Sequence, residues 1–215
     1  DKNFYKIYKK FSPGPITYIV KKKNNSKIKP LACGNLKTVG IRFPKNKIIR
    51  KILKKLEFPL AMPSANKSSG VSPVKPLDVF EEFNNKIKVV DGGISKIGIE
   101  STVLNLVDKV CILRPGIITP KQIENILKIK LKILTKQTIL KSPGLLKKHY
   151  SPGIPMYINK RKCPDKYAFI TFGKKYPVTR NSFNLSRKSN LNEAAKNLYK
   201  FFRIVKKRGY KKIYV

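Results

Sequence analysis

The sequence predicts a mixed α/β protein with two units. Short β-branched runs bounded by turn residues alternate with stretches in which apolar residues recur at helical spacing. Hydrophobic residues make up 41% of the 215 residues, enough to build a core and to exclude wholesale disorder. A segment rich in proline and glycine near residues 141–155 separates the two units.

The first unit contains several predicted strands. Each is a short apolar run with isoleucine, valine or threonine between turn residues. The runs lie at residues 16–20, 39–43, 87–90, 101–106 and 110–113, and the apolar stretch 58–62 is predicted as a further strand.

Three helices are predicted between and after these strands. Apolar residues recur at helical spacing over 48–56 and over 77–83. A third helix should begin at Thr119, because threonine can cap it, Pro120 suits its first position and Gln122 can complete a capping box.

The second unit is predicted to contain a βαβ arrangement. Residues 167–172 form an apolar strand, a helix runs from Asn190 to Gly209, and another strand begins near Lys212. We therefore predict a catalytic domain at 1–138, a linker at 139–155 and an incomplete second domain at 156–215.

Charge is the most unusual property of the composition. Lys and Arg total 49 against 11 Asp and Glu, which gives a net charge of +38. Such an excess suggests an anionic partner such as RNA. Because 41 of the 49 are lysines spread along the whole chain, general compositional bias is the favoured explanation of the charge.

Cysteine and histidine usage limits the possible site types. Cys33, Cys111 and Cys163 have no paired spacing, so neither a disulfide framework nor a zinc ribbon is predicted. His149 is the single histidine, which excludes a histidine-rich metal site. We expect a reducing, cytoplasmic compartment and no membrane segment. The start at Asp1 and the apolar end at Val215 suggest a fragment of a longer protein.

The densest polar stretch is a loop of Ser, Asn and Gly at residues 63–73. At the carboxyl end of a strand, such a loop can bring backbone N–H groups to a phosphate. Taken alone, an ordinary solvated turn is the more common explanation.

Two arginines at predicted strand exits strengthen the case for an anion site. Arg42 precedes Phe43-Pro44, and Arg114 precedes Pro115-Gly116. Fixed guanidinium groups suit phosphate or carboxylate, although each could instead pair with a surface acid. Residues 142–152 form a basic strap that contains His149 and Tyr150. This strap could cover a nucleotide, or could simply pack as a linker.

These stretches, in this order, resemble the YrdC-like family, specifically its long two-domain L-threonylcarbamoyladenylate synthases. The motifs that carry the resemblance are SPGP at 12–15, TVGIR at 38–42, PLAMPSAN at 59–66, SP at 72–73, DGG at 91–93, ESTV at 100–103, LRPG at 113–116, SPG at 142–144 and HYSP at 149–152.

The resemblance implies a twisted mixed α/β sheet with a positively lined cavity, a linker, and a partial Rossmann-like second domain. The implied reaction converts ATP, L-threonine and bicarbonate into threonylcarbamoyl-AMP and pyrophosphate. A tRNA-modifying threonylcarbamoyl transferase complex would then use the product at tRNA position 37. A basic RNA-binding module that contacts tRNA, and a carbamoyl-transfer relative that shares the first domain, are the alternatives.

Site residues follow from the same resemblance. ATP contacts are implied at Thr38, Ser64, Ser72, Arg114, His149 and Tyr150. L-threonine contacts are implied at Arg42, Met62 and Ser101. Ser64 and Asn66 are the implied catalytic pair, and Mg²⁺ is expected to bridge the ATP phosphates without dedicated protein ligands.

The sequence also departs from the family pattern. Its N-terminal segment with a substrate-binding Thr and a phosphate-binding Lys/Arg pair is not part of this chain, so the fragment alone is expected to be weak or inactive. Ser69 stands where glycine is expected, Val74 replaces a threonine, and residues 145–148 are less polar and aromatic than usual.

Overall fold

Nine strands and five α-helices lie within residues 2–134 and 150–215, which the structure, a computed structural model, describes. The strands are β1 Ile16–Lys21, β2 Thr38–Arg42, β3 Thr102–Asn105, β4 Cys111–Arg114, β5 Lys132–Ile133, β6 Met156–Tyr157, β7 Ala168–Thr171, β8 Ser182–Asn184 and β9 Ile213–Tyr214. The helices are α1 Lys2–Phe11, α2 Lys47–Lys54, α3 Pro76–Phe83, α4 Pro120–Leu127 and α5 Leu191–Lys207, and a short 3₁₀ helix covers Pro30–Cys33.

A mixed five-stranded sheet is the centre of the first compact unit, which contains Asp1–Pro63 and Glu100–Lys147. Its strand order is β2-β1-β3-β4-β5. β1 pairs in parallel with β3, and β4 with β5, whereas β1–β2 and β3–β4 are antiparallel. The predicted mixed α/β sheet is therefore confirmed, with strands close to 16–20, 39–43, 101–106 and 110–113.

Helices α1 and α4 cover one face of this sheet. Ile16 and Tyr18 of β1 are fully buried there against Ile7 of α1 and Ile123 of α4. Helix α4 begins as predicted, because Thr119 accepts a hydrogen bond from the backbone N–H of Gln122 and the Gln122 side chain accepts one in return. Helix α1 was not predicted from the sequence.

The second compact unit contains Ser64–Ile99 and Lys148–Val215 and has a parallel sheet in the order β6-β9-β7-β8. Helix α5 packs on its core through Phe202 and Val205, against Ala168 and Ile170 of β7. β7 and β9 pair in parallel, with α5 between them in sequence, which confirms the predicted βαβ arrangement.

Two predicted strands are wrong. Residues 58–62 and 87–90 form no strand. Pro59 and Pro63 lack the backbone N–H that a sheet ladder requires. Phe58 is 59% exposed and Val90 70%, so neither segment buries the apolar side chains that suggested a strand.

The two compact units are discontinuous in sequence, since residues 64–99 group with the C-terminal part of the chain. The division at 1–138, 139–155 and 156–215 remains a prediction, and residues 139–149 of the linker lie outside the described residues. None of the helices in the described ranges has both the length and the apolarity needed to cross a membrane.

Candidate functional site

A row of four residues crosses the sheet of the first unit in register. Arg42 of β2 is opposite Thr17 of β1, Thr17 is opposite Val103 of β3, and Val103 is opposite Arg114 of β4. Ile16 and Tyr18 face the helices, so Thr17 points to the other side of the sheet. The two arginines predicted at strand exits thus lie at opposite ends of one row.

Ser101 lies beside this row and is bound by two of its members, Thr17 of β1 and Arg114 of β4. Its hydroxyl lies 2.8 Å from the hydroxyl of Thr17. Arg114 donates from Nε and Nη2 to the carbonyl oxygen of Ser101, at 3.0 and 2.9 Å, and from Nη2 to its hydroxyl at 3.0 Å. The structure therefore brings Ser101 and Arg114 together, and adds Thr17, which the sequence analysis missed.

Arg42 is oriented by the turn that precedes β1. Its Nε donates to the carbonyl oxygen of Gly14 at 3.2 Å. Although Arg42 as a whole residue is exposed, desolvation of its guanidinium and repulsion from Arg114 lower its pKa below that of a free arginine. An arginine remains charged at neutral pH even so. Because the positive charges of Arg42 and Arg114 repel each other, this face of the sheet is attractive to an anion.

Gly116 fits against the segment that contains Ser101. A Cβ atom at Gly116 would lie 2.5 Å from the backbone nitrogen of Thr102 and 2.7 Å from the carbonyl oxygen of Glu100. The Thr102 hydroxyl donates to the carbonyl of Ile118 at 2.8 Å, which fixes the segment from the buried side. The LRPG motif thus has two roles. Arg114 binds Ser101, and Gly116 leaves room for the backbone of residues 100–102 to pass close by.

Thr38 lies on the same face of β2 as Arg42, with Gly40 between them. Residues two apart on a strand share a face, and four residues of strand span about 13 Å. Gly40 is exposed and pairs with Ile19. Because Gly40 has no side chain, β2 leaves the space between Thr38 and Arg42 open on this face.

Met62, the remaining predicted site residue of the first unit, is 66% exposed. Its contact with threonine remains a prediction.

The predicted phosphate loop belongs to the second unit and is internally ordered around Asn66. The Asn66 side chain donates to the carbonyls of Lys67 at 2.8 Å and Gly70 at 3.2 Å. Its Oδ1 is buried and accepts no hydrogen bond from the described residues. Ser64 is exposed and Ser72 is half-buried.

Ser69 has a left-handed backbone with a φ of 66°. That conformation favours glycine, which explains why the family pattern expects glycine there. The backbone N–H of Ser151, in the strap, donates to the carbonyl of Ser69 at 3.1 Å. Tyr150 stacks on Tyr199 of α5, with ring centroids 6.1 Å apart, and His149 lies outside the described residues.

Two family profiles match the chain, one in its N-terminal part and one in its C-terminal part. The profile of the Sua5, YciO and YrdC proteins, described as "Telomere recombination", matches residues 1–116. The chain belongs to the Sua5/YciO/YrdC family. A second profile, described as "Threonylcarbamoyl-AMP synthase, C-terminal domain", matches residues 118–215. Both matches confirm the resemblance inferred from the motifs.

Two similar curated proteins are both named threonylcarbamoyl-AMP synthase. A threonylcarbamoyl-AMP synthase of Pyrococcus abyssi is 35% identical over 159 residues, which cover 71% of this chain and 46% of the relative. One of Bacillus subtilis is 35% identical over 157 residues, covering 71% of this chain and 45% of the relative. The chain therefore spans a little under half the length of these relatives.

Solved structures of the family have the same fold. The crystal structure of P. abyssi Sua5 complexed with L-threonine superposes with a TM-score of 0.87 and 27% sequence identity. The superposition covers 100% of this chain and 68% of the P. abyssi chain.

Proposed function

We propose that the protein containing this chain synthesises L-threonylcarbamoyl-AMP from ATP, L-threonine and bicarbonate, with release of pyrophosphate. The observation that carries this proposal is the row in which Arg42 and the Arg114–Ser101 pair flank Thr17 on one face of the sheet. The relatives that share the fold are threonylcarbamoyl-AMP synthases, and the P. abyssi protein was crystallised with L-threonine.

The proposed amino-acid site uses the row directly. The guanidinium of Arg42 binds the carboxylate of threonine, because its terminal nitrogens donate to no described residue while Nε is fixed by Gly14. The hydroxyl of Ser101 contacts the substrate, and Met62 supplies an apolar contact.

The proposed ATP contacts are those that the family resemblance implies, namely Thr38, Ser64, Ser72, Arg114, His149 and Tyr150. Arg114 contributes its positive charge while its fork binds Ser101.

The proposed catalytic pair is Ser64 and Asn66, which face the triphosphate. Among the described residues no group of three His, Cys, Asp or Glu could bind a metal ion. We propose that Mg²⁺ enters bound to the ATP phosphates, without dedicated protein ligands.

The chemistry requires positioning and charge neutralisation more than acid–base groups. The threonine nitrogen and bicarbonate form a carbamate with loss of water. A carbamate oxygen then attacks the α-phosphorus of ATP, the bond from that phosphorus to the bridging oxygen breaks, and pyrophosphate leaves. Arginines and backbone N–H groups stabilise the charge that accumulates on the phosphate oxygens.

We further propose that the product passes to a threonylcarbamoyl transferase complex that modifies tRNA in the cytoplasm. An adenylate of a carbamic acid is a reactive mixed anhydride, so a neighbouring acceptor enzyme must consume it.

The test is pyrophosphate release by the full-length protein, measured with and without L-threonine and bicarbonate. Removing Arg42 (Arg42→Ala) should raise the KM for threonine roughly 10- to 100-fold, the value of a charged hydrogen-bonded pair. Arg50→Ala, which removes an exposed charge from α2 of the same unit, should leave it unchanged. Pyrophosphate release that needs neither threonine nor bicarbonate would contradict the proposal.

A further inference from the structure

One guanidinium group of α5, that of Arg203, contacts the polar loop of the second unit together with the helix that follows it. Arg203 Nη1 donates to the carbonyl of Val71 at 2.9 Å. Its Nη2 donates to the carbonyl of Asp78 at 3.0 Å and to the carboxylate of Glu82 at 3.1 Å, and its Nε lies 3.5 Å from the carboxylate of Asp78. The Arg203 side chain is 18% exposed and that of Asp78 only 6%.

The two acids extend this contact to the backbone of the loop. Asp78 accepts from the backbone N–H groups of Val74, at 2.9 Å, and Lys75, at 3.1 Å, through Oδ2, while its other oxygen faces Arg203. Glu82 accepts from the backbone N–H of Lys67 through Oε1 at 3.1 Å, while Oε2 contacts Arg203. The loop is therefore fixed at its beginning and at its end by carboxylates that share one arginine.

The contacts enclose Ser72 on both sides. Val71 and Val74 are 6% and 8% exposed and pack in the core of the second unit with Phe202 and Val205 of α5. Because the carbonyl of Val71 and the N–H of Val74 are both bound, the backbone between them has little freedom. Side chains on a backbone fixed in this way are preorganised for a ligand.

We propose that Arg203 is a positioning residue for nucleotide binding, which sets the geometry of the loop at residues 66–75 from helix α5. The identity of the ligand, ATP, rests on the proposed function. The contacts through which Arg203 acts on the loop are those of the structure. Arg203 is matched by the profile of the C-terminal domain, whereas the loop is matched by the profile of the first domain. Arg203 thus acts on the nucleotide through the loop, without being one of the proposed ATP contacts.

The experiment compares Arg203→Lys with Lys206→Met in the full-length protein. Lysine keeps the positive charge near Asp78 but cannot donate in three directions from a planar group. Lys206 is exposed on the same helix, so its replacement removes a charge without affecting the loop. Arg203→Lys should raise the KM for ATP about tenfold and leave the KM for threonine within about twofold, because threonine is assigned to the first unit.

Hydrogen exchange distinguishes a change in the position of the loop from a general loss of stability of the second unit. In Arg203→Lys the amides of residues 66–75 should exchange at least about tenfold faster, while those of β7 keep their protection. Unchanged exchange in this loop, or equal increases in the KM for ATP and threonine, would overturn the proposal. If the wild-type protein releases no pyrophosphate with threonine, the proposed function fails. The exchange result still decides whether Arg203 positions the loop.

Discussion

Replacing Gly116 with alanine should destabilise the first unit and also disturb the proposed threonine site. The added Cβ would lie 2.5 Å from the backbone nitrogen of Thr102, 2.8 Å from its hydroxyl and 2.7 Å from the carbonyl oxygen of Glu100. All three atoms belong to the segment around Ser101, and backbone atoms cannot move aside as the end of a long side chain can.

The magnitude follows from the movement needed to relieve these contacts. Ordinary carbon contacts begin near 3.5 Å, so the segment must shift by roughly 1 Å. That shift stretches the buried bond from Thr102 to Ile118 and the bond from Arg114 Nη2 to the carbonyl of Ser101. Two weakened hydrogen bonds at about 1 kcal/mol each, with overpacking strain of about 1 kcal/mol or more, give a loss of about 3 kcal/mol.

Thermal unfolding of the full-length protein measures this loss. A fall in Tm of about 6 °C or more is expected for a domain of this size. Gly40→Ala is the control for thermal unfolding, because its Cβ would meet side-chain methyl groups at 3.3 and 3.4 Å rather than backbone atoms. A Gly116→Ala protein that unfolds within about 2 °C of the wild type, with an unchanged KM for threonine, would refute the reasoning.

Three further substitutions test other parts of the structure. Arg114→Lys keeps the charge but loses the fork on Ser101, so the KM for threonine should rise about tenfold in pyrophosphate-release assays. Ser69→Gly should stabilise the protein by about 0.5 kcal/mol in urea denaturation, because glycine accepts the positive φ without strain. Burial raises the pKa of Tyr18 above 10.0, repulsion from Tyr8 adds to this, and the hydrogen bond to Ser12 opposes it. The neutral phenol is therefore favoured in the fold, and its contribution to stability is lost as the pH rises above about 10. The urea midpoint of Tyr18→Phe should accordingly fall less between pH 8 and 10.5 than that of the wild type.

Local chemistry made much of the fold predictable. Thr119 and Gln122 fix the start of α4 through contacts between near neighbours, which sequence spacing reveals directly. Residues 58–62 look like a strand by apolarity alone, but a strand also needs a partner, and no local signal supplies one. Helix α1 was missed although Phe4, Ile7 and Phe11 recur at helical spacing within residues 2–11.

The site was predictable in its residue types and less so in its contacts. Arg42 and Arg114 stand out because arginine is scarce in this chain. The contact of Thr17 with Ser101 joins residues 84 positions apart and depends on the register of β1 with β3. Only its alternation with Ile16 and Tyr18 indicated which side of the sheet Thr17 faces, and nothing local indicated its partner.

Arg114 binds residue 101 mainly through its backbone, which makes the side chain at that position a target for redesign. Two of its three bonds go to a main-chain carbonyl, which every amino acid possesses. A substitution at residue 101 therefore leaves these two bonds in place and removes only the hydroxyl contacts to Thr17 and Arg114. If Ser101 contacts threonine as proposed, substitutions at residue 101 alone should change which amino acids bind beside it, by their polarity above all.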